Sequence, residues 1–170
     1  MPDQPPLAVF LHGSIGVGKT TLGTALAAHL GGAYVDGDDF QKEGQPWFAS
    51  SRTVAKALAD AAIRETTLRP VVVLGYPLRC TDYLYLRTRL GRAGLRTLFV
   101  NLVPPLSGIL AESRGRVLST WERQRTAAMI EQGYNSRSWS DARVDTSGTR
   151  EDSLRILTHL VRSARSVRAS

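Results

Sequence analysis

VFLHGSIGVGKTTLGTAL, from Val9 to Leu26, decides the reading of this chain. Within it Gly13, Ser14, Ile15, Gly16, Val17, Gly18, Lys19 and Thr20 fill the pattern G-x-x-x-x-G-K-[ST] in full. Glycines let the backbone curl so that successive N–H groups point inward at phosphate oxygens. A helix starting near Lys19 would add its positive end to the same spot. Lys19 is placed to neutralise phosphate charge, and Thr20, followed by Thr21, offers a hydroxyl to Mg²⁺. The surroundings suit this chemistry: the apolar run LAVFLH (7–12) reads as a buried strand, and residues 19–30 carry Leu22, Leu26 and Leu30 on one helix face. Residues Gly13 to Thr21 are therefore the expected cradle for a nucleotide's phosphates.

A little further on, YVDGDDF (34–40) brings three carboxylates, Asp36, Asp38 and Asp39, to the end of a second short strand. Acids beside an anion make sense if a cation and a hydroxyl must also be held there. Mg²⁺–nucleotide takes oxygen ligands, and a phosphoryl acceptor needs its hydroxyl oriented and its proton accepted. If the chain stays extended through Gly37, Asp36 and Asp38 face the same site. One then serves the metal and the other the acceptor, with Asp39 pointing elsewhere. The β-branched run PVVVLGYP (70–77) has Leu74-Gly75 where many phosphate-loop ATPases carry a Mg²⁺-binding Asp. Metal duty thus falls on Thr20 and Asp36, which argues for a small kinase over a motor or transporter ATPase.

Outward from these motifs the chain alternates. Strands are expected over 7–12, 32–36, 70–77 and 95–103, with a fifth inside DARVDTSG (141–148). Helices are expected over 19–30, from a cap at Ser50 or Ser51 to about Thr67, over 81–94, briefly over 104–115, from the capping box STWE (119–122) to about Gln132, and over 149–165. Strand–helix alternation of this kind implies a parallel sheet with helices on both faces. A chain of 170 residues fits one domain, 1–170. Its 42% hydrophobic content is ordinary for a globular protein. No apolar run reaches the ~20 residues of a membrane helix, and the start of the chain has neither the basic residues nor the apolar core of a signal peptide. The single cysteine, Cys80, excludes an intrachain disulfide and fits a reducing cytoplasm.

The net charge of +7 comes from 19 arginines and 3 lysines against 15 acids. Arginine's planar fork binds phosphate and carboxylate bidentately, so an anionic ligand and a nucleic acid are both open on charge alone. Arg114, Arg116, Arg123 and Arg125 crowd into ESRGRVLSTWERQR, between the fourth and fifth strands. An arginine segment there, about 112–125, reads as a mobile lid that closes over a nucleotide and stabilises the transferring phosphoryl group. Arg116 and Arg123 are the two expected to reach phosphate.

Taken together, GSIGVGKTT, VDGDDF, the arginine lid and VDTSG make the chain resemble the P-loop small-molecule kinases of the shikimate kinase, gluconate kinase and adenylylsulfate kinase group. The resemblance spans nearly the whole chain and rests on those few segments. It implies a P-loop NTPase-type three-layer α/β sandwich of about five parallel strands with an arginine-rich lid, working on ATP and Mg²⁺. By the same resemblance Asp36 assists the Mg²⁺ shell, Asp38 contacts the acceptor hydroxyl, and Asp145, Thr146 and Ser147 lie beside the adenine.

Departures leave the acceptor open. LGYPLR stands where shikimate kinases carry a triple glycine, Phe40 and Gln41 replace the nearby histidine of gluconate kinases, and Asp39 replaces the Asn of adenylylsulfate kinases. GYPLR resembles the G-F-P-R segment of adenylate kinases, which lack D-G-D after the second strand. Acceptor recognition is expected from the region 38–67 and beyond it, through Asp38, Trp47, Arg52, Tyr76, Arg79 and Arg137. The expected partner is a small hydroxylated acceptor, including antibiotics as a variant, for a monomer or homodimer. A nucleoside or nucleotide kinase is the alternative. A nucleotide-dependent regulatory or nucleic-acid-binding module is a second one, which leaves Asp38 without a task.

Overall fold

The structure, a computed structural model, describes residues 4–103 and 118–167, and of residues 47 and 48 the backbone alone. The short helix expected over 104–115, Arg114 and Arg116 lie outside the described residues.

Five strands form one sheet: β1 (Leu7–His12), β2 (Ala33–Asp36), β3 (Val71–Gly75), β4 (Arg96–Val103) and β5 (Ala142–Asp145). Their order is β2-β3-β1-β4-β5, and every neighbouring pair is parallel. The helices are α1 (Lys19–Leu30), α2 (Trp47–Thr66), α3 (Cys80–Arg92), α4 (Thr120–Glu131) and α5 (Arg150–Ser166).

Strand periodicity sorts β1 onto two cores, since successive side chains point to opposite faces. Leu7, Val9 and Leu11 pack on one face with Leu22 and Leu26 of α1 and Leu157 and Val161 of α5. Ala8 and Phe10 pack on the other with Val54 and Leu58 of α2 and Leu86 and Leu90 of α3. Burial on both faces explains why β1 and β3 read as continuous apolar runs.

The expected elements that fall on described residues recur, mostly within two residues of their expected bounds, and two differences bear on the site. The sheet strand β3 covers only Val71–Gly75 of the 70–77 run. Helix α2 begins at Trp47 instead of after a serine cap, because Pro46, with φ −57°, leads straight into the first turn. Ser50 and Ser51 are then buried inside that turn. The expected capping box is present on α4: the Ser119 hydroxyl accepts the Glu122 N–H at 3.1 Å, and Glu122 accepts the Ser119 N–H at 2.9 Å. Helix α5 is capped by Thr149, whose hydroxyl accepts the Asp152 N–H at 3.1 Å without the reciprocal backbone bond of a capping box. Among the described residues no helix is long and apolar enough to cross a membrane.

Candidate active site

Strand β1 ends at His12, and the loop that follows wraps back over the C-terminal edge of the sheet. Gly13 makes this possible: its φ is +146°, and a Cβ there would lie 2.8 Å from the Leu102 carbonyl oxygen. The adjoining Ser14 N–H donates to Asn135 Oδ1 at 3.1 Å, which ties the loop's first turn to the segment after α4. Lys19 lies across the loop, donating to the carbonyls of Gly13 (3.2 Å) and Ser14 (2.7 Å). Burial lowers its pKa to about 8, against the opposing pull of Asp38 and Asp36. Its ammonium is thus costly to keep charged and gains from any anion placed beside it.

His12 is fully buried beneath this loop. Its Nε2 is 2.9 Å from Ser140 Oγ, and its ring stacks on Trp139 at 4.7 Å. Burial, then Lys19 and Arg137, push its pKa down to about 3, so it is a neutral imidazole near pH 7. The side-chain amide of Asn101 bridges three backbone groups here. It donates to the carbonyls of His12 (3.4 Å) and Tyr134 (3.0 Å) and accepts the Arg137 N–H (3.1 Å).

The acids sit one strand further out. Asp36 ends β2 in register with Gly75 of β3. Its Oδ2 accepts from the Thr20 hydroxyl at 2.9 Å and from the Tyr34 hydroxyl at 3.3 Å. Beyond Asp36 the chain does not stay extended. Gly37–Phe40 form a 3₁₀ turn, because Asp36 Oδ1 caps the Asp38 N–H at 3.0 Å. Asp38 nevertheless lines the same cleft as Lys19 and Thr20, and Asp36 and Asp39 are not among its lining residues. Asp38 Oδ1 accepts from Gln41 Nε2 at 3.1 Å, which also lies 3.4 Å from the Tyr76 hydroxyl. Gly75, where an acid was missing, has no room for a side chain: a Cβ there would be 2.2 Å from the Tyr34 hydroxyl.

Thr20 and Asp36 therefore present two oxygens in contact at the start of α1. Among the described residues no three His, Cys, Asp or Glu side chains gather as a closed metal cage. A hard cation such as Mg²⁺ binds few carboxylates and completes its shell with phosphate oxygens and water. The Thr20–Asp36 pair beside a phosphate loop fits that donor set.

The cleft measures about 780 Å³ and runs along the C-terminal edge of the sheet. Residues 15–22 form its middle, Asp38, Gln41 and Pro77 one side, and Leu118, Trp121, Met129, Thr146, Gly148 and Arg150 belong to the β5 side. Thr146 is buried there, while Asp145 is exposed and accepts the Ser147 N–H at 2.7 Å through Oδ1. Hydrogen bonding by Ser147, first through its side chain and then through that N–H, holds the Asp145 carboxyl below its ordinary pKa.

The expected acceptor residues fall into two groups. Tyr76 is buried, and burial pushes its phenol up to about 12, within the fields of Asp38, Asp82 and Arg79. Arg79 donates to Ser51 Oγ and approaches Asp82 Oδ2 at 3.8 Å. Asp82 is buried, and burial raises its pKa, offset by the Arg79 N–H, which donates to it at 2.9 Å, and by the Arg79 and Arg137 charges. The Arg137 guanidinium lies over the Tyr134 ring at 4.3 Å and donates to the Gln132 carbonyl at 3.3 Å. Tyr76, Arg79 and Arg137 thus share one neighbourhood around Asp82, and none of the three is among the residues that line the cleft. Arg52 is exposed on α2, and the side chain of Trp47 is outside the described residues. Arg123 is exposed, and its Nε donates to the Leu118 carbonyl at 3.3 Å; it does not line the cleft.

No protein-family model and no curated protein sequence matches the chain. Solved structures do. A gluconokinase from Sinorhizobium meliloti 1021 superposes with a TM-score of 0.65 at 18% identity, covering 95% of this chain and 99% of its own. An APS kinase from Mycobacterium tuberculosis, solved with AMPPNP and APS, gives 0.70 at 17% identity, covering 94% and 99%. A shikimate kinase from Acinetobacter baumannii, solved with shikimate, gives 0.65 at 21% identity, covering 96% and 97%. The five-stranded parallel α/β fold of this chain is the one these P-loop kinases share.

Proposed function

We propose that the protein is an ATP- and Mg²⁺-dependent phosphotransferase that moves the γ-phosphoryl group to a hydroxyl of a small metabolite or natural product. One observation carries this. Asp38 and Lys19 line a single cleft, while Asp36, two residues before Asp38, is held against the Thr20 hydroxyl at 2.9 Å. A phosphate clamp, an oxygen pair for a cation and a further carboxylate are the parts that in-line phosphoryl transfer uses.

The roles follow from position. Residues 13–21 cradle the phosphates, through the Lys19 ammonium and loop N–H groups other than that of Ser14, which donates to Asn135. Thr20 and Asp36 hold Mg²⁺, which when bound neutralises charge on the phosphate oxygens. Asp38 orients the acceptor hydroxyl and takes its proton as the oxygen–phosphorus bond forms and the bridging oxygen departs with ADP. Tyr76, Arg79 and Arg137, with Arg52 and Trp47, recognise the acceptor. Asp145, Thr146 and Ser147 border the base. Arg116 and Arg123 belong to a lid, about 112–125, on a single domain of residues 1–170.

An ATP-consumption screen across hydroxylated metabolites, nucleosides and antibiotics tests this, with Asp38→Asn as the paired control. The expected result is one class of acceptor that accelerates ADP release by the native protein and not by the variant. Acceleration by nucleosides or nucleotides alone would move the acceptor class to nucleoside or nucleotide kinases. Binding to RNA or DNA with a steep salt slope, and no acceptor, would replace catalysis with a nucleic-acid-binding role.

A further inference from the structure

The phosphate loop follows β1, the central strand, so it sits in the middle of the sheet's C-terminal edge. The strand order β2-β3-β1-β4-β5 sends the two halves of the cleft to opposite flanks. Asp38 and Pro77 follow β2 and β3; Thr146 and Arg150 follow β5. If phosphates occupy the loop and the acceptor the carboxylate flank, the remainder of a nucleotide has the β5 flank to lie in.

That flank carries an unspent aromatic surface. Trp121 is 65% exposed and is the one aromatic side chain among the described residues that line the cleft. It stands on the first turn of α4, which the Ser119–Glu122 capping box fixes. The same helix is anchored by buried Met129 and by Thr126, whose hydroxyl lies 3.5 Å from the Ile15 carbonyl of the phosphate loop. The indole therefore stands on a capped helical turn beside the loop, with most of its apolar face still in water. A large aromatic face left exposed within a cleft gains by being covered, and any nucleobase has a flat face to offer it.

We infer that Trp121 is the platform on which the nucleotide's base stacks, and so a determinant of the site's preference for a nucleotide over inorganic polyphosphate. The inference rests on the phosphotransferase function proposed above. It adds a residue whose contribution depends on the base, whereas Lys19 and the loop act on the phosphates.

Calorimetric titration with Mg²⁺–ADP and with Mg²⁺–tripolyphosphate separates the two. Native protein binds both, ADP more tightly. Trp121→Ala weakens ADP binding by roughly 5–150-fold, the span of one base–aromatic stack, and leaves tripolyphosphate within about twofold. Trp121→Phe restores most of the ADP affinity, since a smaller ring still stacks. The tripolyphosphate arm also reports that the variant is folded. Equal weakening of both ligands, or of neither, overturns the inference and leaves the phosphate loop standing. Failure of the native protein to bind either ligand overturns the phosphotransferase function and this inference with it.

Discussion

The phosphate end proposed for the cleft and the acceptor end proposed beside it are built by opposite means. At the phosphate end the working groups are backbone N–H and consecutive side chains, residues 13–21, set by one strand–loop–helix unit. Only the Asp36 carboxylate, from β2 on the far side of β3, is added to it. At the proposed acceptor end, whose side chains are not among those lining the cleft, Ser51 comes from α2, Tyr76 and Arg79 from the β3–α3 connection, Asp82 from α3, and Tyr134 and Arg137 from the segment after α4. The first end is a local solution whose geometry travels with its sequence. The second exists only when four separate elements have packed, so it can be retuned by exchanging single side chains without disturbing the first.

The sharpest way to break this contrast is at the phosphate end. Lys19→Ala removes a charge-assisted contact to phosphate and should suppress turnover by orders of magnitude while the thermal unfolding profile stays close to native. A folded Lys19→Ala protein with native ATP turnover would remove the phosphate end altogether.

Between the two ends lie the acids, and three isosteric changes rank them. Asp38→Asn keeps the volume and loses the base, so transfer should fall by about 10²–10⁴-fold, the usual range for a general base, with Mg²⁺–ATP affinity nearly unchanged. Asp36→Asn should instead raise the Mg²⁺ concentration needed for half-maximal rate, because it weakens the oxygen pair with Thr20. Asp39→Asn should be mild. Mg²⁺ titrations of initial rate distinguish these outcomes. An inactive Asp39→Asn beside an active Asp38→Asn would transfer the acceptor to the other carboxylate.

The acceptor end should respond less, and unevenly. Arg137→Ala forfeits a guanidinium stacked on Tyr134, and acceptor KM should rise by roughly 10–150-fold, as for a lost charge-assisted hydrogen bond, with stability nearly native. Arg79→Ala should raise acceptor KM similarly but also cost about 1–3 kcal/mol of stability, because buried Asp82 loses its nearest cation. Parallel kinetics and denaturant unfolding read both. If Arg79→Ala loses stability alone, that arginine is a brace for Asp82 and the acceptor end narrows to Arg137.

This contrast also explains what the sequence made legible. Strand 7–12 and helix 19–30 are observed residue for residue, because the apolar run, the glycines and the leucine spacing are all local signals. The start of α2 differs from expectation for a local reason too: the serines suggest a cap, but Pro46 enters the helix first and packing buries Ser51 toward Arg79. Asn101 and Asn135, which hold the loop and Arg137 in place, carry no pattern that marks them before the sheet is assembled. His12 had a signal, an imidazole inside an apolar strand directly before Gly13, and Trp121 had one in the capping box beside it. Both read simply as parts of a strand and a helix start. For Arg123 the arginine-rich run points to phosphate, and the structure adds a local bond from its Nε to the Leu118 carbonyl.

The smallest expected effect is a proton, and it connects the two ends. Burial lowers the Lys19 pKa from 10.5 to about 8, while Asp38 and Asp36 pull it upward. Between those values the unfolded chain holds a proton that the folded chain has released, so this group makes stability rise with pH across that window and costs most below about 8. A phosphate placed on the loop favours the ammonium and raises its pKa again. Mg²⁺–ADP binding just above pH 8 should therefore take up a fraction of a proton, and binding well below pH 8 should take up none. Calorimetry in buffers of different ionisation enthalpy measures this directly. Asp38→Asn deletes one of the two charges that raise the Lys19 pKa, so its uptake window should extend to lower pH than in the native protein. Uptake that is unchanged in Asp38→Asn would mean the carboxylate does not feel the phosphate loop, and the two ends would be electrostatically independent. Proton release on binding, in either protein, would show that a group other than Lys19 titrates at the phosphate end.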